Sequence, residues 1–506
     1  MNISLILQMA ADAAPDRIGL VCEGRQWSYG ALDRMARGAA RSIAESGCAH
    51  VSLLDESSEA AAIALFGAAI AGCRYVPLNY RLAEADLAAL LGRIAPAFVI
   101  GDADRVKKLG PDSRHLTWSR SAFLEESLRS ADLRAEAPEP SEDVAVQIFT
   151  SGTTAAPKAA LLRHGNLISY ILGTVEFGAA SANEAALVAV PPYHIAGIAA
   201  LLSSIWAMRR IVLLPAFDPD TWLSLAASER ATSAFLVPTM LARIIARMDK
   251  GEPADLSALQ SIAYGGGRMP LELIERALEL FPRTGFTNAY GLTETSSTIA
   301  LLGPQEHRAA LQSSDPAIRA RLGSVGRPLP TVEIEIRDQD GRALPPGAPG
   351  EIFVRGDQVS GEYREGRALD AAGWFPTRDA GWLDTEGYLF LAGRADDVIV
   401  RGGENISPGE IEDVLLTHPA IAEAAAVGIA STEWGEAVGV ALVVKPGREL
   451  PSSDALRALV RDRLRSSRVP ERILAVEALP YNEMGKLLRR EVRKLFEARG
   501  PAAKSQ

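Results

Sequence analysis

Apolar residues at Leu32, Met35, Ala36, Ala39 and Ile43 recur three and four apart behind Ser28. That spacing predicts an amphipathic helix capped by the serine. Short apolar runs follow at Val51–Leu54, Tyr75–Leu78, Phe98–Ile100, Ala185–Val190, Arg210–Leu214 and Ala234–Val237, with helix-length segments between them. Two further stretches, Ala60–Gly72 and Ile195–Met208, are apolar, rich in small residues and bounded by polar ones. They are too short to span a bilayer and predict buried helices. Strands alternating with helices predict parallel sheets wrapped by helices, an α/β fold.

After about residue 320 the pattern changes. Val332–Arg337 and Ile352–Arg355 flank a Pro/Gly turn at Leu344–Gly350, which predicts a small antiparallel β region. From Gly393 onward, short helix and strand patterns alternate at Pro408–Leu415, Ala424–Ile429, Val438–Val444, Ser453–Arg465 and Ile473–Val476. That is the size of a compact α+β unit. The reading is a large N-terminal domain over 1–393, helix-covered sheets plus the β region, followed by a small mobile α+β domain over 394–506. The break is placed where Gly393-Arg-Ala-Asp-Asp397 interrupts two apolar runs.

A chain of 506 residues with 48% hydrophobic and 23% charged residues suits a soluble multidomain protein. The net charge of −10 is spread along the chain and disfavours a general nucleic-acid or anionic-membrane surface, so any phosphate site must be locally basic. Cys22, Cys48 and Cys73, with six scattered histidines, give neither metal-ligand spacing nor a disulfide framework. The N-terminus lacks a basic flank before Asp12 and Asp16, which argues against a secretory signal. A cytoplasmic location is expected.

The chemistry is most legible at Thr150-Ser-Gly-Thr-Thr-Ala-Ala-Pro-Lys158, directly after the apolar alternation Val144–Phe149. Many hydroxyl and backbone N–H donors, with one cation alongside, suit a polyphosphate. This is not a Walker loop, since Gly485-Lys486 runs into Leu487 and lacks the upstream glycine. Further on come Pro191-Pro-Tyr-His-Ile-Ala-Gly197, Tyr264-Gly-Gly-Gly-Arg-Met-Pro270 and Asn288-Ala-Tyr-Gly-Leu-Thr-Glu-Thr295. Gly373-Trp-Phe-Pro-Thr-Arg-Asp379, Gly402-Gly-Glu-Asn-Ile406 and Asn482-Glu-Met-Gly-Lys486 complete the series. In this order, over nearly the whole chain, the motifs resemble the adenylate-forming superfamily of acyl-CoA synthetases, adenylation domains and luciferases.

The resemblance implies roles for these residues. Thr150, Ser151, Gly152, Thr153, Thr154 and Lys158 would hold the β- and γ-phosphates of ATP. Ala155 and Ala159 stand where glycine is usual, which implies a stiffer loop. Tyr290 would stack on adenine, within a nucleotide-binding set that also includes Gly266, Gly267, Arg268, Asn288, Ala289 and Gly291. Thr293 would touch the α-phosphate and Glu294 would hold Mg²⁺, a hard cation that often binds one carboxylate plus substrate phosphates. Asp379 would accept from the ribose hydroxyls beside Arg394, with Arg378 where glycine or serine is common. Lys486 would bridge carboxylate and α-phosphate, Asp396 would be the hinge, and Gly402 and Gly403 would line a thiol tunnel. His194 would sit at the acyl pocket with Ala196, Gly197, Leu236, Gly265 and Gly291.

The implied reaction joins a carboxylic acid to ATP as acyl-AMP, then transfers the acyl group to a thiol, with coenzyme A as the expected acceptor. Pro191–Gly197 has no aspartate for an α-ammonium, and Ala289 replaces the arginine expected of a dicarboxylate enzyme. An apolar monocarboxylate, aromatic or medium-chain fatty, is therefore expected. The alternatives are an acyl-AMP ligase that loads a carrier protein and a non-catalytic ATP or acyl-adenylate sensor. Luciferase-type oxidation stays open, whereas no Gly-x-Ser-x-Gly supports a serine hydrolase. Partners are the acid and coenzyme A, with no nucleic acid and no membrane span; a homodimer stays open.

Overall fold

The computed structural model describes residues 1–108, 114–131, 143–150, 157–251, 254–394, 397–402, 404–431, 433–481 and 487–498. Two large sheets dominate. The first has nine strands, and its six central ones (Gly285–Leu292, Ser261–Gly265, Ser233–Leu236, Ala185–Val188, Arg210–Leu213, Ile18–Cys22) are all parallel. The second has eight strands, in which Val144–Thr150, Arg74–Pro77, His50–Leu54, Ala97–Gly101 and His115–Ser119 form the parallel part. Parallel strands need crossovers, and helices supply them while covering both faces. The α/β expectation is met.

The helix predicted behind Ser28 runs Tyr29–Glu45, and the serine Oγ accepts from the Ala31 N–H at 3.2 Å. The all-apolar segment is the helix Glu59–Ile70, buried at every position except Ala61. It lies against Tyr29–Glu45, where Gly67 leaves the room that Ala39 occupies. The other predicted buried helix runs Ile195–Trp206. These helices and the facing strands form one continuous core. Cys22, Cys48 and Cys73 are free thiols.

The β region is a four-stranded antiparallel sheet of Glu333–Arg337, Gly350–Arg355, Phe375–Leu383 and Leu389–Arg394. The next sheet begins at Ile399–Arg401 and belongs to the C-terminal unit, so the change of sheet falls between Arg394 and Ile399. In that unit, Ile421–Ser431 and Gly435–Val444 pair antiparallel along ten residues, and Arg472–Ala475 adds in parallel. The last helix, Arg489–Glu497, presses Val492 and Phe496 onto this sheet. Full burial of an aromatic of that size stabilises the docking by up to about 3 kcal/mol.

Among the elements that the sequence reading does not name, three bear on the site. Ser261–Gly265 and Gly285–Leu292 are adjacent parallel strands, although glycine and asparagine dilute their β pattern. The third is a short hairpin, Glu362–Tyr363 with Gly366–Arg367, which joins the edge of the eight-stranded sheet through Lys158–Arg163. Among the described residues no helix is long and apolar enough to cross a membrane.

Candidate active site

The Gly265 and Ala289 positions pair in register on the two neighbouring strands. A Cβ at Gly265 would lie 2.2 Å from the Ala289 carbonyl oxygen, and one at Gly291 would lie 1.7 Å from that of Ser297. Only glycine permits so close a backbone approach at either position. Gly266 follows at φ +76°, a left-handed turn that brings the chain off its strand, while Gly267 has no such requirement. Asn288 is committed to structure, its Nδ2 donating to the Ser324 carbonyl at 3.0 Å.

Tyr290, between Ala289 and Gly291, sends its hydroxyl to Asp379 Oδ2 at 2.6 Å. Asp379 and Arg394 are cross-strand partners, and Arg394 Nε lies 3.2 Å from Asp379 Oδ1. Arg394 also donates to the Thr377 carbonyl at 3.1 Å, and Thr377 Oγ1 accepts from the Asp379 N–H at the same distance. Both Tyr290 and Asp379 are buried. Burial first, and the Asp379 carboxylate second, push the Tyr290 hydroxyl well above the ordinary tyrosine range. Each carboxylate oxygen carries two acceptor sites, so Asp379 retains capacity for a diol after meeting both partners. Neighbouring Arg378 sits at φ +60°, which accounts physically for the expectation of glycine there.

Glu294 lies on the single turn Thr293–Thr295 that ends the strand, and both Thr293 and Glu294 are half-buried. Its backbone carbonyl accepts from the N–H groups of Ser360 and Gly361 at 2.9 and 3.3 Å. Its carboxylate accepts from the Tyr363 hydroxyl at 2.7 Å. Lys158 places its ammonium 5.3 Å from the centre of the Tyr363 ring. Burial, then the Glu294 charge, raises the Tyr363 hydroxyl strongly; the fields of Arg378 and Arg394 oppose this, so Arg394 and the Glu294–Tyr363 pair share one electrostatic environment. Gln358 donates to the carbonyls of Thr295 and Thr298 at 3.0 and 2.7 Å and fixes the turn from behind. The chain leaves through Ser296 and Ser297 at φ 56° and 112°, unfavourable for residues with side chains.

Lys158 pairs with Thr150 across antiparallel strands, and the Thr150 hydroxyl donates to the Lys158 carbonyl at 3.5 Å. The hydroxyl-rich stretch therefore joins two antiparallel strands, and Lys158, just beyond it, opens a strand and not a helix. Ser151, Gly152, Thr153, Thr154 and Ala155 lie outside the described residues. Arg93 secures the hairpin stems: it donates to the Pro157 carbonyl at 2.6 Å, stacks 4.7 Å from the Phe149 ring centre and pairs with Glu365. Glu365 also accepts from the Ala159 N–H at 3.3 Å. Arg93 ends a helix in the manner of any dipole-complementing cation, so the sequence carries no cue to this contact. Tyr363, Glu365 and Gln358 were equally invisible; each acts across more than ten residues of chain.

His194 precedes the helix Ile195–Trp206, its ring tilted against Tyr193 at 4.5 Å between centres. Burial pushes the imidazole down to about 4, so it is neutral at pH 7. Its Nε2 is buried with no partner among the described residues. Ala196 is half-buried beside it, whereas Leu236 is fully buried in the core beneath the helix Pro238–Met248. The exposed Arg268 turns away from the strand ends and meets Asp413 and Glu412 of the C-terminal unit. Gly402 adopts φ +58°, and its N–H donates to the Trp434 carbonyl at 2.9 Å. Gly403, Asp396 and Lys486 lie outside the described residues.

The strand-borne Tyr290–Asp379–Arg394 set, the turn-borne glutamate and the lysine hairpin thus lie close together. Residues 7–364 match the family model for AMP-binding enzyme, and residues 410–486 match that for the AMP-binding enzyme C-terminal domain. The chain belongs to the AMP-binding enzyme family. It is an adenylate-forming ligase by descent, with both parts of that architecture. Among curated relatives, indoleacetate–CoA ligase of Aromatoleum aromaticum is 32% identical, covering 98% of each chain. Fatty acid–[acyl-carrier-protein] ligase ScoC of Streptomyces coeruleorubidus is 30% identical over 96% of this chain and 95% of its own. A 2-succinylbenzoate–CoA ligase of Bacillus mycoides is 36% identical over 70% and 71%.

Solved structures agree. The o-succinylbenzoate CoA synthetase of Bacillus subtilis, in complex with its acyl-adenylate intermediate, superposes with TM-score 0.81 at 27% identity, over 99% of both chains. ATP-bound MatB of Rhodopseudomonas palustris gives 0.84–0.85 across itself and its chimeras; the parent protein gives 0.85 at 25% identity, over 98% of this chain and 99% of that one. Among the described residues no cluster of three His, Cys, Asp or Glu side chains could hold a metal unaided. Glu294, a single carboxylate with hydroxyl oxygens around it, is the donor chemistry that suits Mg²⁺ shared with a polyphosphate.

Proposed function

We propose that the protein is an AMP-forming acid:CoA ligase for an apolar monocarboxylic acid, aromatic or medium-chain fatty. The observation that carries this reading is the Tyr290–Asp379–Arg394 network standing beside Glu294 and Lys158. A nucleotide laid over Tyr290 would direct its ribose at Asp379 and its phosphates at Glu294 and the lysine hairpin. Whole-length superposition on an ATP-bound relative and on an acyl-adenylate complex supports that direction. Mg²⁺ held at Glu294 would neutralise phosphate charge.

In the first step a carboxylate oxygen attacks the α-phosphorus, the bond to pyrophosphate breaks, and acyl-AMP forms. In the second, the coenzyme A thiolate attacks the acyl carbonyl and AMP leaves. Neither step needs a protein nucleophile. The protein's work is alignment and charge neutralisation, by Thr293 and Lys158 on the large domain and by Lys486 on the small one. The two-domain division near residue 394, with a hinge at Asp396 and a thiol tunnel at Gly402 and Gly403, belongs to the same proposal.

An aryl acid is favoured by the neutral His194 imidazole, whose buried Nε2 lacks a partner beside Tyr193. A bound ring edge or polar substituent would complete it. The test is a panel of aryl and fatty acids, scored by pyrophosphate exchange and by AMP release with and without coenzyme A. Exchange with no acid at all would overturn the reading. A second reading, transfer to a carrier protein, is favoured by the 30% identity to a fatty acid–[acyl-carrier-protein] ligase along almost the whole chain. AMP release that requires a carrier protein instead of coenzyme A would establish it.

A further inference from the structure

Arg268 follows the glycine run that ends the strand Ser261–Gly265, at the edge of the nucleotide site, yet its guanidinium is spent on the other domain. It pairs with Asp413 and lies 3.6 Å from Glu412, both on the helix Pro408–Leu416. The fit is made by an absent side chain. A Cβ at Gly409 would lie 2.3 Å from Arg268 Nη1 and 2.4 Å from its Cζ, so the guanidinium rests on the bare backbone of the helix's first turn. A cation beside a helix N-terminus is disfavoured by the dipole, and the two carboxylates offset this.

The acidic pair also reaches the C-terminal end of the chain. Glu412 is buried and accepts from Arg489 Nη2 at 3.0 Å and from the Ala426 N–H at 2.8 Å. Arg489 opens the last helix, three residues beyond Lys486 in sequence. One carboxylate therefore joins the rim of the nucleotide site to the base of the segment that carries the expected adenylation lysine. Arg268 itself is nearly half exposed, with 46% of its side chain accessible. A pair that wet is weak, and weakness is what a reversible contact between moving domains requires.

We propose that Arg268 is a positioning residue that docks the C-terminal domain in the arrangement used for acyl-AMP formation, rather than a nucleotide ligand. The proposal rests on the ligase reading above for its half-reactions, but not for its structural readout. Five variants test it: Arg268→Ala, Arg268→Lys, Gly409→Ala, Arg268→Glu, and the exchange of Arg268→Glu with Asp413→Arg. Gly409→Ala removes no charge and adds a good helix former, so a folding defect is not expected of it.

In ligand-free protein, trypsin cleavage at Arg394 and Arg401 should accelerate about threefold or more in Arg268→Ala and Gly409→Ala, the scale of one half-exposed pair. In turnover assays both variants should slow acid-dependent pyrophosphate exchange about threefold to tenfold. Coenzyme A-dependent AMP release from supplied acyl-AMP should stay within about twofold. Arg268→Lys should lie between, and the charge exchange should recover activity relative to Arg268→Glu alone. Equal losses in both half-reactions, a change confined to the KM for ATP, or unchanged proteolysis would each overturn the proposal. If the wild type exchanges pyrophosphate with no acid, the ligase reading fails instead, and the proteolysis comparison still decides the docking.

Discussion

The Tyr290–Asp379–Arg394 cluster and the turn that carries Glu294 are built differently. Tyr290, Asp379 and Arg394 all stand on strands, and Tyr290 and Asp379 are each only 9% exposed. Glu294 stands on a single turn, half-buried, and is held by a tyrosine from a short hairpin and by Gln358 behind it. Tyr290 and Asp379, strand-borne and dry, hold position without a ligand. Turn-borne, wetter groups can adjust, which on the proposed function suits the arrival of phosphate and metal and the departure of pyrophosphate. On the proposed function, the end that would only bind is rigid, and the end where bonds would change is adjustable.

The largest break in that contrast should come from Lys486→Ala. It should reduce acyl-AMP formation by about 10²-fold or more while sparing thioester formation from supplied acyl-AMP, as expected of a group acting on developing charge. Matched losses in the two half-reactions would place the lysine in a general structural role. Next comes Asp379→Ala, which strips the buried Tyr290 hydroxyl and Arg394 of their shared acceptor. A stability loss of about 2–3 kcal/mol is expected from chemical denaturation, together with a raised KM for ATP; an unchanged midpoint would show that the dry end is not preorganised by this network.

Tyr363→Phe probes the adjustable end and should behave oppositely. Stability should change by no more than about 1 kcal/mol, while the Mg²⁺ concentration for half-maximal rate rises severalfold. If the denaturation midpoint falls as far as in Asp379→Ala, the two ends do not differ.

Acid titration separates buried groups of another kind. His194 and His164 are both held near 4 by burial, against an ordinary 6.5. Above 6.5 neither matters. As pH falls toward about 4 the unfolded chain takes up protons that the folded chain refuses, so stability is lost across that window. His164→Gln or His194→Gln should flatten the slope of stability against pH between 6.5 and 4; an unaltered slope would mean that the folded imidazoles titrate normally. The smallest effect belongs to Arg378→Gly. Removing a side chain from φ +60° should stabilise the protein by up to about 1 kcal/mol, read as a small rise in Tm, with little change in the KM for ATP.

Much of this molecule is legible in its sequence, because the relevant forces act locally. Helical and strand periodicity report which faces are buried, so the wrapped parallel sheets, the buried helix at Glu59–Ile70 and the capped helix behind Ser28 could be read directly. The order of the motifs identified the family, and the resemblance nominated Tyr290, Glu294, Asp379, Arg394 and Lys158 as candidate site residues. Glycines hid the strand Gly285–Leu292, since register with a neighbour, not side-chain pattern, makes it a strand.

What the sequence could not disclose is who supports whom. Tyr363 holds Glu294 from 69 residues away, and Arg93 holds Pro157 from 64. Arg268, read as a nucleotide contact from its place beside the glycines, meets Asp413 145 residues on. A residue's type and neighbours set the chemistry it can offer; its partner depends on how distant strands and helices are packed. That packing is a property of the whole fold, because each contact is decided by backbone approach, burial and charge at points that no local window contains.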